Sequence, residues 1–364
     1  MKALRVVTGF VLVVALLIVS VLPALAVEAE TFVLKSAQLF PVMTTEEWQE
    51  MSRQDRLAAC QIAEDEIDKM STEDLLQHVL NYPFMIDIYA FSTYEMGFDH
   101  VCEEFEAISV LVNRDDYSEA LIRTYASVPV ETSKSVRNSN FYQNLWDLGI
   151  LEILIAQPEM TQNLSNSEIN TLTSIAQAKY DEKANALSVY SGSVLSFANA
   201  LNEQPDSSVS RAVSYPRTPR GNAVGYTNTS SYADWSAEEK ELLDAQALSA
   251  YPTATLLRSA SIKYNCHSYA WHSRSSSNHY WIPDPTEYMR DGSYYSTSRQ
   301  IGTIAYWYTT FNNTIIPIHS GIVDEHMQSG VYIGAISKWG NSGLFNHRFD
   351  DCPYSGTITY WTQS

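Results

Sequence analysis

The sequence predicts an α+β chain, mostly helical in its first part and closing on a small antiparallel sheet with a helix packed against it. Two contrasts carry that reading. Between about Thr45 and Glu203, apolar residues recur three and four positions apart behind Ser and Thr caps. From Arg258 onward, Tyr, Trp, Ile and Thr prevail, with Gly and Asn at the breaks, which is the composition of strands.

Each element has its own signal. Ser71-Thr72-Glu73-Asp74 precedes Leu75, Leu76, Val79 and Leu80, and Ser165-Asn166-Ser167-Glu168 opens a helix expected to run as far as Leu201. The aromatic stretch YPFMIDIYAF is expected to pack between helices. Ser236-Ala237-Glu238-Glu239 is a capping box for a helix reaching about Ser249, and IGTIAYWYTTF, IIPIHSGIV, VYIGAISKWG and TITYWTQ read as strands. NCHSYAWHS carries few turn residues and reads as helical, with Cys266 at its start.

These signals divide the chain into residues 1–26, an export signal; 27–202, an acidic helical domain; 203–235, a Ser/Pro/Asn/Gly-rich linker; and 236–364, a second domain. The signal has basic Lys2 and Arg5, an apolar run from Val6 to Leu22, and Ala24-Leu25-Ala26 before Val27. A retained anchor is the alternative, because the run is near the lower limit of about 17 residues for a span. No other apolar run approaches that length, so a secreted or cell-surface location without stable membrane insertion is expected.

The formal charge of −19 falls entirely in the first part: residues 27–250 hold 35 acidic and 14 basic side chains, and residues 251–364 hold 7 of each. That balance argues against nucleic acid, whose phosphates draw on Lys and Arg. It argues equally against electrostatic capture by acidic polymers or lipids.

Four cysteines are too few for a disulfide scaffold. Cys60 and Cys102 read either as a disulfide or as two buried thiols, and a bridge from Cys266 to Cys352 is one alternative for that pair. At a helix start, Cys266 would meet unpaired N–H groups and the positive end of the helix dipole, which favour thiolate. Such a nucleophile needs a histidine from a neighbouring element, and His319, at the head of HSGIV, has the right placement. His267 is expected to project elsewhere. The helices show no metal-ligand cluster and no phosphate loop, so neither metal nor cofactor is expected; a zinc site from Cys266, His267 and His272 lacks the usual spacings.

NCHSYAW resembles the nucleophile motif of CHAP domains, the cysteine, histidine-dependent amidohydrolases and peptidases of papain-like fold. IGTIAYW resembles their strand with a closing Trp, and HSGIV their histidine strand, over roughly residues 261–348. The resemblance implies a papain-like second domain with Cys266 as nucleophile and His319 as general base. Thr303 replaces an acid of the strand motif, and Lys338, in ISKWGN, occupies the position of the acid that would orient the histidine. An ammonium cannot accept the imidazole N–H, so Ser337, Asn341 or His347 is a candidate for that role. The function implied is an exported cysteine hydrolase cleaving amide bonds in peptides, above all the stems or cross-links of peptidoglycan. Alternatives are a catalytically silent binding or adhesion module on the same fold, or an acyl- or peptidyl-transferase using the same pair.

Overall fold

The computed structural model describes residues 45–191, 216–328 and 331–364. The export signal, residues 203–215 of the linker and the stretch from 192 to 201 lie outside the described residues. No helix of the described residues is long and apolar enough to cross a membrane.

The first part is helical: α1 (Glu46–Glu50), α2 (Arg53–Ala59), α3 (Glu64–Ile67), α4 (Thr72–Leu80), a 3-10 segment (Pro83–Tyr89), α5 (Tyr94–Glu104), α6 (Ala107–Val112), α7 (Tyr117–Ser127), α8 (Phe141–Ile155), α9 (Pro158–Thr161) and α10 (Asn166–Ala184). The caps act as their residue types dictate. The Ser71 hydroxyl accepts from Asp74 N–H, and Ser165 and Glu168 close a reciprocal capping box. Helix α10 stops at Ala184 with Asn185 as its C-cap, short of the end expected near Leu201. The aromatic stretch forms the 3-10 segment, whose residues are all buried.

Helix α11 (Ala237–Ala250) follows, opened by the Ser236–Glu239 capping box. After it come β1 (Thr227–Asn228, preceding α11 in sequence), β2 (Thr255–Arg258), β3 (Tyr280–Trp281), α12 (Thr286–Arg290), β4 (Tyr294–Thr297), β5 (Ile304–Phe311), β6 (Thr314–Gln328), β7 (Val331–Lys338), β8 (Leu344–Arg348) and β9 (Thr357–Gln363). β1 pairs with β3, and the other seven strands form an antiparallel sheet in the order β2-β8-β7-β6-β5-β9-β4. The fold is therefore mixed, with helices first and an antiparallel sheet after. Strands β2, β4 and β8 are additions to the four that the sequence announces.

The sheet has two covered faces. β5 and β6 pair Ile304 with Ile322, Ala305 with Gly321, Tyr306 with Ser320 and Trp307 with His319. Because side chains alternate along a strand, Ile304, Tyr306, Ser320 and Ile322 share one face, and Ala305, Trp307 and His319 share the other. The first face packs under Tyr264, Tyr269 and Trp271. The second joins the core of the helical part, where Phe91 meets Tyr354 edge-on at 5.4 Å and Tyr251 meets Trp339 at 5.0 Å. Gly340 lies hard against the helical part at a positive φ of 44°. A Cβ there would stand 2.4 Å from Tyr89 O and 2.5 Å from Phe91 O.

Candidate active site

Cys266 opens a helical run over residues 266–272, of which Ser268–His272 is a π-turn closed by Ser273 N–H to Ser268 O. Asn265 fixes the approach: its Oδ1 accepts from Ser268 N and Ile282 N at 3.1 Å each, and its Nδ2 donates to Ile282 O at 2.7 Å. The run lies on the sheet face that carries Ser320, whose Oγ accepts from the Trp271 indole at 2.9 Å and bonds His267 Nδ1 at 2.8 Å.

All four cysteines are free thiols, so neither the Cys60–Cys102 nor the Cys266–Cys352 disulfide alternative holds. Cys266 is 2 % exposed. Burial pushes its thiol up to about 12, opposed by backbone N–H groups of Ser320, His267 and Cys266 itself and by the charge of Lys338. The N–H donors expected of a helix start are present, and desolvation outweighs them. Cys266, His267 and His272 do not form a ligand cluster among the described residues, which removes the zinc alternative built on them.

His319 is fully buried on the opposite face of β6. Its ring stacks on Tyr354 with centroids 3.5 Å apart and meets Trp307 edge-on at 5.0 Å. Neither ring nitrogen has a hydrogen-bond partner, so Cys266 and His319 are not hydrogen-bonded to one another. Burial, with His347 and His267 nearby, holds the imidazole well below its ordinary range, and the ring is neutral. The Tyr354 hydroxyl donates to Ala90 O at 2.7 Å, fastening this stack to the helical part.

The residues expected to orient His319 are engaged elsewhere. Ser337 Oγ and His347 Nε2 lie 2.7 Å apart, and His347 Nδ1 lies 2.8 Å from Arg348 O. A carbonyl only accepts, so Nδ1 carries the proton and Nε2 accepts from the Ser337 hydroxyl. Asn341 is held through its backbone, its N–H donating to Tyr89 O at 2.7 Å and its carbonyl accepting from the Trp235 indole at 2.8 Å. Thr303 turns back on its own loop and donates to Gln300 O.

Lys338 is the residue whose role the motif comparison misses. Its Nζ donates to Ser261 O, Gly340 O and Ser342 O at 2.8, 2.6 and 2.5 Å and lies 5.5 Å from the Tyr264 ring centre. Burial pushes the ammonium down to about 7, while Asp234, Cys266 and Asp244 act to raise it. Three carbonyls for three N–H bonds match the protonated form, which makes Lys338 a cationic clamp between the loops before the Cys266 run and after β7. His267 was also misjudged from sequence: it bonds Ser320 and lies over the β6 backbone that donates to the sulfur, and burial pushes it down to about 4.

Searches against family models, curated proteins and solved structures find no match for this chain.

Proposed function

We propose that the chain is an exported cysteine hydrolase of papain-like plan, acting on amide bonds of peptides or of peptidoglycan stems, with Cys266 as the nucleophile. The observation that carries the reading is the convergence of three backbone N–H groups on one free thiol at the head of a helical run, beside a buried cation. Such donors stabilise a thiolate, and those not used by the sulfur suit the oxyanion that forms when it adds to a carbonyl. In the reaction the thiol proton passes to an imidazole as the C–S bond forms. The same proton goes to the leaving amine as the C–N bond breaks, and water then releases the acyl group. His319, neutral and with both nitrogens unpartnered, has the protonation state for that exchange. For the transfer, its ring has to come within hydrogen-bond reach of the sulfur, and the Tyr354 stack holds it away from any partner.

A second reading, a silent binding module, is favoured by the burial of the thiol and its rise to about 12. One experiment separates the two. The native protein and Cys266→Ala are incubated with isolated cell walls and with stem peptides, and a small alkylating agent is mapped by mass on the unreduced native protein. Hydrolysis predicts new amine termini from the native protein alone and labelling of Cys266 faster than a model thiol at neutral pH. Slow labelling together with no product from either protein would sink the enzyme reading.

A further inference from the structure

Outside the Cys266 region, three residues of the helical part meet at one point. Asp87, inside the 3-10 segment, and His100 and Glu104, one turn apart on α5, each bring a ligand atom to within 4.8 Å of the others. His100 Nε2 lies 3.4 Å from Glu104 Oε1 and 4.0 Å from Asp87 Oδ2. Bonds of about 2.0–2.2 Å in a tetrahedral zinc site put neighbouring ligand atoms roughly 3.4 Å apart, so the spacing needs only a small contraction.

The remaining valences of the cluster are already assigned, and this narrows what can fill its centre. Arg53 Nη2 donates to Glu104 Oε2 at 2.9 Å and reaches Asp87 Oδ2 at 3.5 Å, and the Tyr251 hydroxyl donates to Asp87 Oδ2 at 2.5 Å. Asp87 Oδ1 and His100 Nε2 are left buried with no hydrogen-bond partner. The Asp87 side chain is 1 % exposed and that of His100 10 %. Arg53 balances one of the two carboxylate charges, so the centre keeps one negative charge and a free imidazole lone pair. Burial holds His100 below its ordinary range, in the neutral form a metal requires.

We infer that Asp87, His100 and Glu104 form a binding site for a first-row divalent cation, zinc foremost, bracing α5 against the 3-10 segment. One imidazole nitrogen with two carboxylate oxygens suits zinc, cobalt or manganese better than calcium, which prefers oxygen alone, or cuprous copper, which prefers sulfur. The site is independent of the hydrolase reading. It also corrects the expectation of no metal-ligand cluster in the helices, since Asp87 lies outside α5 and sequence spacing alone does not reveal it.

The test uses the full chain stripped with EDTA. Zinc titrated calorimetrically should bind with a stoichiometry of one and raise the melting temperature above that in EDTA. Cobalt should give the visible ligand-field bands of a site with nitrogen and oxygen donors. His100→Gln and Glu104→Gln should each weaken binding at least tenfold, with metal-free circular dichroism matching the native chain. Failure of the cooperatively melting native chain to bind zinc, cobalt or manganese overturns the site. So does binding by either variant as tight as that of the native chain.

Discussion

Ser320 and His319 are neighbours on β6, yet they lie in opposite chemical situations. Ser320 faces the Cys266 run, where its hydroxyl serves Trp271 and His267 and its N–H serves the sulfur. His319 faces the core of the helical part, flanked by Trp307 and Tyr354, with two polar nitrogens unserved. An unpaired buried polar group costs roughly 1–3 kcal/mol, so one side of this strand is satisfied and the other is held under strain by its surroundings. A fold keeps such a cost where rigidity alone does not explain the residue, and this is the physical reason to regard His319 as more than packing.

Four substitutions break or sharpen that contrast. Gly340→Ala should have the largest effect, because the added Cβ meets the Tyr89 and Phe91 carbonyls and the φ is positive. A loss of about 3 kcal/mol or more is expected in denaturant unfolding; an unchanged midpoint would mean that the helical part does not press on the loop after β7. Lys338→Met should cost about 2–3 kcal/mol by stranding three carbonyls. It should also change the pH profile. Lys338 is lowered from its ordinary 10.5 to about 7 in the fold, so between those values the unfolded chain binds the extra proton. Its contribution therefore makes stability rise with pH across that window, by at most about 1.4 kcal/mol per pH unit. The native protein should show that rise and the variant should not; identical profiles would indicate that Lys338 stays charged throughout.

Ser320→Ala removes the partner of the Trp271 indole and of His267 Nδ1 and should cost about 1–2 kcal/mol. His319→Phe works in the other direction. It keeps a ring on Tyr354 while deleting two unserved nitrogens, so a gain of about 1 kcal/mol is expected, accompanied by loss of any Cys266-dependent turnover. Destabilisation of His319→Phe by more than that amount would show that the imidazole is satisfied in solution, and the contrast between the two neighbours would disappear.

Much of the fold is legible in the residues. The caps at Ser71, Ser165 and Ser236 act locally, through hydroxyls that reach N–H groups three residues on, so short sequence patterns suffice for them. The strand runs around Tyr306, His319 and Ala335 are equally plain. The direction in which His319 faces is not. Counting outward from the Asn312–Asn313 turn, pairs run in step to Tyr308 with Pro317, and then Trp307 pairs with His319. One extra residue, Ile318, shifts the parity of everything beyond it, and no local pattern announces a bulge of that kind. Lys338 was hidden for a related reason: its three acceptors are main-chain carbonyls, which any residue type supplies.

The fastening of Tyr354 has a consequence for how this protein can vary. Its hydroxyl is received by the carbonyl of Ala90, and the neighbouring carbonyl of Tyr89 receives Asn341 N–H. Both acceptors survive most replacements at their own positions, so inherited changes there leave these two ties in place. Only a change at Tyr354 itself can remove its hydroxyl from the junction, which makes that single codon the point where drift could uncouple the two halves of the molecule.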